Sequence, residues 1–194
     1  MDIKPTLIAL SAHNMGAGKT TVALTMCGMY PTFNIASFAG PLKQTAMKIT
    51  PDGRIDKARD RALLQFLGTD YFRKIDPDWW TKKFAVTTRN KMKLGADIVV
   101  DDCRFPNERA IVREMGGYNV FVLANKAQAA ARQHERDGVI AAGITGHVSE
   151  TVDLDPYGPE FDWVLDNSGP LEDLPYQIHL MTQHFSKLRH LAAA

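Results

Sequence analysis

Short apolar runs alternate along most of the chain with longer stretches in which apolar residues recur three and four positions apart. The short runs are typical of buried strands, and the longer periodic stretches predict helices. The predicted strands are residues 6–11, 34–38, 97–101, 118–124 and 161–165. The predicted helices are residues 20–30, 41–48, 61–67, 76–94, 107–115, 127–137 and 170–188. This alternation indicates an α/β fold in which helices cover both faces of a parallel sheet.

Four local features refine these elements. Within Asp97–Asp101, the three central residues Ile-Val-Val form an unbroken β-branched run, which predicts a central strand buried on both faces. Pro41 suits the first position of a helix, where its missing N–H is not needed. Gly68 follows a helical stretch and predicts its end. The glycine-rich stretch 138–159 predicts a loop rather than a linker between domains.

Composition limits the function classes. The 194 residues fit a single domain, 1–194, and 23 Lys and Arg against 22 Asp and Glu leave a net charge of +1. Because no global positive field exists, we expect no direct nucleic-acid binding, and any phosphate chemistry must be local. The apolar run Leu7–Leu10 is too short for a membrane span and lacks signal-peptide flanks, so a cytoplasmic protein is expected. Cys27 and Cys103 are isolated and predict reduced, structural thiols.

The segment His13–Thr20 reads His-Asn-Met-Gly-Ala-Gly-Lys-Thr between a predicted strand and a predicted helix, the context of a phosphate-binding P-loop. Backbone N–H groups of such a loop point at phosphate oxygens, Lys19 reaches the β- and γ-phosphates, and the Thr20 hydroxyl binds Mg²⁺. His13 replaces the usual first glycine, and histidine tolerates a positive φ better than most residues. The alternative is a turn that only joins strand to helix. The predicted nucleotide-binding residues are Asn14, Gly16, Ala17, Gly18, Lys19, Thr20 and Thr21.

A second charged segment, Asp101–Arg104, follows the predicted central strand at the sheet edge where α/β proteins bind ligands. A carboxylate there can hold Mg²⁺ through water, and we assign the metal to Asp102 together with Thr20. Pleat alternation sends Asp101 and Asp102 to opposite faces, and spacing alone does not decide which one faces the site. Arg104 is suited to a bidentate phosphate contact. Solvated charges at a helix start are the alternative.

Several segments together resemble one kinase family. They are Phe38–Lys43, Leu63–Asp70 with Arg73, Asp102–Glu108, His147–Glu150 and Asp166–Gly169, and they span most of the chain. In content and order they are similar to the phage-type deoxynucleoside monophosphate kinases. The segments Gly-Thr-Asp-x-x-Arg and Asp-x-Arg-Phe-Pro-Asn-Glu are the most specific, whereas Asn-x-Gly is shared with other kinases, including dephospho-coenzyme A kinases. His13 departs from the family pattern.

The resemblance implies a three-layer P-loop kinase fold with a central parallel sheet, an acceptor-binding helical insert at about 41–94 and a lid at about 126–150. It further implies ATP and Mg²⁺ as cofactors and transfer of the γ-phosphoryl of ATP to a deoxynucleoside 5′-monophosphate, giving the diphosphate and ADP for DNA synthesis. The protein would then work in the cytoplasm, that of the host if a phage encodes it. A homodimer remains open.

The same resemblance implies roles for individual residues. Those expected to act in transfer are Lys19, Asp102, Arg104, Arg132 and Arg136. Those expected to bind the acceptor are Phe38, Lys43, Asp70, Arg73, Trp80, Arg104, Glu108, His147 and Glu150.

Several of these roles have an ordinary structural alternative, and His147 could either touch the nucleotide or only anchor the lid. Lys43 suits a solvated helix face equally well, and the insert aromatics suit a core. Glu108 either orients Arg104 or only complements a helix dipole. Arg132 and Arg136, four apart, share one helix face that could simply be solvated. The rival functions are another small-molecule P-loop kinase, such as a dephospho-coenzyme A kinase, and an ATP-hydrolysing switch or packaging accessory without an acceptor.

Overall fold

The strands of the described residues form one parallel sheet. A computed structural model of the chain describes residues 5–13, 16–56, 59–125, 127–130 and 154–193. The strand order is β2-β3-β1-β4-β5, and every neighbouring pair is parallel. The strands are β1 (Leu7–Ser11), β2 (Phe33–Ala36), β3 (Asp97–Val100), β4 (Tyr118–Leu123) and β5 (Trp163–Asp166). The predicted α/β class with a parallel sheet is confirmed.

Helices connect the strands and cover the sheet. They are α1 (Lys19–Met29), α2 (Ala39–Met47), α3 (Arg61–Gln65), a π-helical turn (Phe66–Tyr71), α4 (Phe72–Ile75), α5 (Trp79–Lys93), α6 (Pro106–Glu114), a 3₁₀ turn (Leu171–Asp173) and α7 (Leu174–Ala193). The helices from α2 to α5 lie between β2 and β3 in the sequence, and the acceptor-binding role expected of this region stays a prediction. None of the helices in the described ranges has the length and apolar composition needed to cross a bilayer.

Two apolar clusters, one on each face of the sheet, form the core. All five residues of β1 are buried, because this strand lies in the middle of the sheet. Its Ile8 and Leu10 join the cluster beneath α1 and α7, whereas Leu7 and Ala9 join the cluster that includes Phe84 of α5. Successive side chains of a strand point to opposite faces, so the unbroken apolar run of β1 reflects coverage on both sides.

The sequence predicted that the helix beginning at Arg61 ends before Gly68, and this prediction is wrong. The helix continues through the π-helical turn Phe66–Tyr71 into α4. Gly68 is buried here, and a side-chain carbon added to it would lie 3.0 Å from Leu42 Cδ2. Its carbonyl also accepts a 3.1 Å hydrogen bond from Trp80 Nε1. Gly68 therefore allows close packing inside a helix, which overrides its usual helix-ending tendency.

Other boundaries differ by a few residues. Helix α2 begins at Ala39, so Pro41 is its third residue instead of its first, still within the turn whose N–H groups need no helical partner. The closing helix starts as a 3₁₀ turn and runs on to Ala193. In the region predicted as a lid, residues 127–130 are helical. Residues 131–150 lie outside the described part of the chain, so the predicted lid stays a prediction.

Candidate active site

The predicted phosphate loop lies between β1 and α1, where the sequence placed it. Gly16 and Gly18 adopt positive φ angles of 83° and 91°, which residues with a side chain rarely tolerate. Among the described residues no residue other than glycine has a positive φ, so His13 does not use the tolerance expected of it. Its ring instead packs edge-on against Phe121 with the ring centroids 4.9 Å apart. Asn14 lies outside the described residues.

Gly16 is required by space as well as by conformation. A side-chain carbon built on Gly16 would collide with the backbone carbonyl of Ala129. Ala129 belongs to the helical residues 127–130 and is buried, at 2% exposure. The start of the predicted lid region therefore packs directly on the phosphate loop.

Asn167 braces the phosphate loop from the far end of the chain. Its side-chain amide donates a 2.8 Å hydrogen bond to the carbonyl of Ala17, across 150 residues. Asn167 is only 6% exposed and follows β5, so its position is fixed by the sheet. The sequence analysis gave Asn167 no role, although its Asn-x-Gly segment contributed to the family resemblance.

Lys19, the first residue of α1, is half-buried and lies in a crowded electrostatic environment. Burial lowers its pKa to about 8, with a further lowering from the positive charge of Arg104. The carboxylates of Asp101 and Asp102 partly offset both effects. Lys19 and Arg104 are therefore close enough to repel each other, and an anionic phosphate between them would stabilise both charges.

The hydroxyl of Thr20 contacts Asp101 and not Asp102. Thr20 Oγ1 donates a 2.8 Å hydrogen bond to Asp101 Oδ2, which joins the start of α1 to the end of β3. A hydroxyl beside a carboxylate at this place is a suitable oxygen pair for Mg²⁺, which usually takes one or two protein groups together with substrate phosphates. The geometry thus favours Asp101 over the Asp102 that the sequence analysis paired with Thr20.

Asp102 faces the start of α2. Its Oδ2 accepts hydrogen bonds from Ser37 Oγ at 2.6 Å and from the Ala39 N–H at 3.0 Å, and its Oδ1 accepts one from the Phe38 N–H at 2.8 Å. The two adjacent aspartates therefore contact different helices, in agreement with the expectation that only one of them faces the phosphate loop.

A buried carboxylate, Glu108, holds the segment that carries Arg104. Glu108 Oε2 accepts hydrogen bonds from the N–H groups of Arg104 at 2.8 Å and Phe105 at 3.1 Å. Its Oε1 lies 3.3 Å from Nη2 of Arg73, whose guanidinium also covers the Phe105 ring at 4.3 Å from the centroid. Glu108 is 3% exposed, and burial raises its pKa while these donors oppose the shift. The geometry fits the hypothesis that Glu108 orients Arg104, through the backbone.

Arg109 fixes the other side of the Arg104 peptide. Its Nη1 donates a 3.1 Å hydrogen bond to the Arg104 carbonyl, and its Nη2 lies 3.4 Å from Glu160. The residue is 4% exposed, and its guanidinium carbon lies 5.6 Å from the centre of the Phe161 ring. Arg109 was missed by the sequence analysis. A charged residue in the first turn of a helix gives no sign of burial when only the sequence is known.

Two aromatic residues predicted to bind the acceptor are core residues instead. Phe38 is 3% exposed, and its ring packs on Phe84 with centroids 4.0 Å apart. Trp80 is also 3% exposed, and its indole N–H is bound to Gly68. Neither ring is available to stack on a base in this structure, because both are covered by neighbouring side chains. The core packing that was the alternative for the insert aromatics therefore describes Trp80, and Phe38, which precedes the insert, packs in the core as well.

The other predicted site residues, whatever their expected role, divide by position. Lys43 is half-buried on α2, whereas Asp70 is exposed on the π-helical turn. Thr21 is exposed in the first turn of α1. The remaining ones, Arg132, Arg136, His147 and Glu150, lie outside the described residues and stay predictions.

Comparisons with known proteins agree with this geometry. A family model described as deoxynucleotide monophosphate kinase matches residues 54–178. A protein of Acanthamoeba polyphaga mimivirus, named "Putative deoxynucleotide monophosphate kinase", is 29% identical over 189 residues, covering 84% of this chain and 89% of its own length.

Solved structures of kinases have the same fold. A gluconokinase from Sinorhizobium meliloti is 17% identical and matches with a TM-score of 0.58 over 98% of this chain and 99% of its own. The APS kinase of Mycobacterium tuberculosis, solved with AMPPNP and APS, is 12% identical, with a TM-score of 0.59 over 93% of this chain and 98% of its own. At such identities the likeness establishes the fold alone. The family match covers more than half of the sequence. The chain therefore belongs to the deoxynucleotide monophosphate kinase family and is an ATP-dependent phosphotransferase.

Proposed function

We propose that the protein transfers the γ-phosphoryl group of ATP to the phosphate of a deoxynucleoside 5′-monophosphate, giving the diphosphate and ADP. The observation that carries the proposal is the position of Arg104. The segment that carries Arg104 follows β3, the strand paired with β1, and its backbone is held by Glu108, which also contacts Arg73. Cations suited to a donor phosphate and an acceptor phosphate thus lie at one sheet edge.

The donor side consists of the phosphate loop and the start of α1. Backbone N–H groups of the loop and the ammonium of Lys19 would bind the triphosphate, aided by the positive end of the helix dipole. Thr20 and Asp101 would hold Mg²⁺, which would neutralise charge on the phosphates. Asn167 engages the Ala17 carbonyl in a hydrogen bond, which supports the backbone of the loop.

The acceptor side consists of Arg73 and Arg104, with Lys43 on α2 as a further candidate. An oxygen of the acceptor phosphate would attack the γ-phosphorus, the bond from that phosphorus to the β–γ bridging oxygen would break, and ADP would leave. Little covalent help is needed for this step, so aligning the two phosphates and neutralising their charge supply most of the catalysis.

A panel of acceptors tests the proposal. The protein with ATP and Mg²⁺ is given each deoxy- and ribonucleoside monophosphate, dephospho-coenzyme A and gluconate in turn, and ADP release and product are measured. We expect phosphorylation of one or more deoxynucleoside monophosphates. Transfer only to another acceptor would identify a different small-molecule kinase, and ADP release that no acceptor changes would indicate an ATPase or switch.

Two variants test which residues bind the donor phosphates and which bind the acceptor phosphate. Lys19→Ala should abolish transfer, and preserved transfer would contradict the role of the phosphate loop. Arg104→Ala should raise the KM for the monophosphate far more than the KM for ATP. An unchanged acceptor KM would remove Arg104 from the acceptor site.

A further inference from the structure

The start of α2 lacks a cap of its own. The residue before the helix is Phe38, whose side chain has no oxygen, and the helix makes no capping hydrogen bond with that side chain. The first N–H groups of a helix have no partner within it, and an Asp, Asn, Ser or Thr at this place usually satisfies one of them.

Asp102 supplies the missing cap from a distant part of the chain. Its carboxylate accepts the N–H groups of Phe38 and Ala39 and the hydroxyl of Ser37, at 2.6 to 3.0 Å. These partners precede Asp102 by 63 to 65 residues. A negative charge at a helix N-terminus also interacts favourably with the helix dipole. One side chain after β3 therefore fixes where α2 begins.

Helix α2 in turn connects to the rest of the insert. Leu42 lies against Gly68 of the π-helical turn, where a side-chain carbon on the glycine would come within 3.0 Å of Leu42 Cδ2. Lys43, the adjacent residue on α2, is one of the proposed acceptor contacts. The far side of the insert is held separately, because Asn107 Nδ2 donates a 2.9 Å hydrogen bond to Asp78 Oδ1 and Glu108 contacts Arg73. The segment after β3 is thus joined to this part of the chain at the start of α2 and again around Arg73 and Asp78.

We infer that Asp102 is a positioning residue for the acceptor site, which sets the place of α2 relative to the phosphate loop, while the neighbouring Asp101 serves the donor side with Thr20. This inference rests on the proposed function, and it divides the two adjacent aspartates between the two substrates. Removing the Asp102 charge should therefore weaken acceptor binding and leave metal and ATP binding nearly unchanged.

The test compares Asp97, the first residue of β3, with Asp101 and Asp102, which directly follow the strand. Asp102→Asn should raise the acceptor KM about tenfold or more, and change the KM for ATP and the half-saturating Mg²⁺ concentration less than about twofold. Asp101→Asn should raise the half-saturating Mg²⁺ concentration by about tenfold or more. Asp97→Asn is the matched structural control. Asp97 accepts hydrogen bonds from the Thr6 N–H and from Thr32 Oγ1, but at the opposite end of β3.

Direct binding gives a second readout. Calorimetric titration with dAMP, dCMP, dGMP and dTMP should show loss of acceptor affinity in Asp102→Asn, while titration with ATP and Mg²⁺ stays close to wild type. Asp97→Asn should bind all of these ligands like wild type. If Asp102→Asn does not fold, Ser37→Ala, which removes one of the three donors, takes its place with a rise of a few-fold in acceptor KM. In the Asp102→Asn background, Ser37→Ala should add nothing further.

The outcomes separate the inference from the proposed function. If the wild-type protein phosphorylates no deoxynucleoside monophosphate, the proposed function fails. If the wild type is active but Asp102→Asn raises the half-saturating Mg²⁺ concentration and leaves the acceptor KM unchanged, Asp102 serves the metal and the inference is overturned. The inference is equally overturned if Asp102→Asn and Ser37→Ala both match Asp97→Asn in every constant.

Discussion

Lys19 is suited to a bound anion, and without one its half-buried charge lowers the free energy of unfolding. Its pKa is about 8 in the folded chain, against an ordinary value of 10.5. Between these values the unfolded chain binds more protons, so the free energy of unfolding rises with pH from about 8 to about 10.5. Below pH 8 the folded protein carries the full cost of a half-buried charge.

We therefore expect Lys19→Met to stabilise the nucleotide-free protein. At pH 7 its free energy of unfolding should exceed that of wild type by about 1–2 kcal/mol, a value reduced from the full pKa shift because the side chain is partly solvated. The difference should shrink at pH 10. Urea denaturation in EDTA at the two pH values measures it, and a variant less stable than wild type at pH 7 would contradict the argument.

The two cysteines differ in accessibility. Cys103 is 1% exposed, and burial raises its pKa well above the ordinary range, whereas Cys27 is half-buried on α1 with a pKa that burial also raises. A thiol reagent such as DTNB should label Cys27 slowly in the native protein and Cys103 only after unfolding, because the thiolate is the reactive form. Cys27→Ser should abolish the native reaction. Equal rates for both thiols would rule out the buried position of Cys103.

At this scale the sequence predicted residue types better than residue partners. Lys19 and Thr20 follow from a loop motif whose context is local. The choice of Asp101 or Asp102 as the partner of Thr20 does not follow from a motif, because it depends on which helix start lies opposite each carboxylate. Aromatic residues are ambiguous for a similar reason. Whether Phe38 packs in a core or faces a ligand is decided by Phe84, which is distant in sequence.

Among the structural elements, the junction after β5 has the most direct effect on the phosphate loop. Asn167→Ala removes the hydrogen bond to the Ala17 carbonyl and leaves a buried acceptor without that partner. We expect a loss of about 1–3 kcal/mol in the free energy of unfolding and a rise in the KM for ATP larger than that for the acceptor. Denaturation and steady-state kinetics measure the two effects.

The neighbouring Ser168→Ala provides the control for that experiment. Ser168 is half-buried, and its backbone N–H donates a hydrogen bond to Asp166 that the substitution keeps. It should behave like wild type in both measurements. A similar loss of ATP affinity in both variants would mean that the whole junction, and not the Asn167 amide, supports the loop.

The π-helical turn was not predictable from the sequence. Local propensity predicts that a helix ends near a glycine, and Gly68 is followed by polar residues that favour this expectation. The helix continues because Leu42 and Trp80, which belong to other helices, contact Gly68 from outside. Single-sequence periodicity contains no information on such contacts.

For the whole molecule, the α/β fold class was predictable from the sequence, but the order of the strands in the sheet was not. Alternating strands and helices imply a parallel sheet, but the order β2-β3-β1-β4-β5 depends on the side to which each connection crosses. That order places the ends of β1 and β3 next to each other, and so it brings the phosphate loop beside Asp101 and Asp102.

Ligand binding should stabilise the whole fold. At about one hundred times its Kd, ATP with Mg²⁺ should add about 2.7 kcal/mol to the free energy of unfolding, which corresponds to about 5–10 °C in Tm for a chain of this size. Differential scanning fluorimetry measures the shift, and Lys19→Ala should lose most of it. An equal shift in Lys19→Ala would place the nucleotide elsewhere.

The contact between Ala17 and Asn167 has a consequence for synthesis on the ribosome. The two residues are 150 positions apart, so at about 5–20 residues per second translation takes about 8–30 s to pass from one to the other. During that interval the phosphate loop has been synthesised, but Asn167, whose amide binds the Ala17 carbonyl, has not. We therefore expect full nucleotide affinity only after nearly the whole polypeptide has been made.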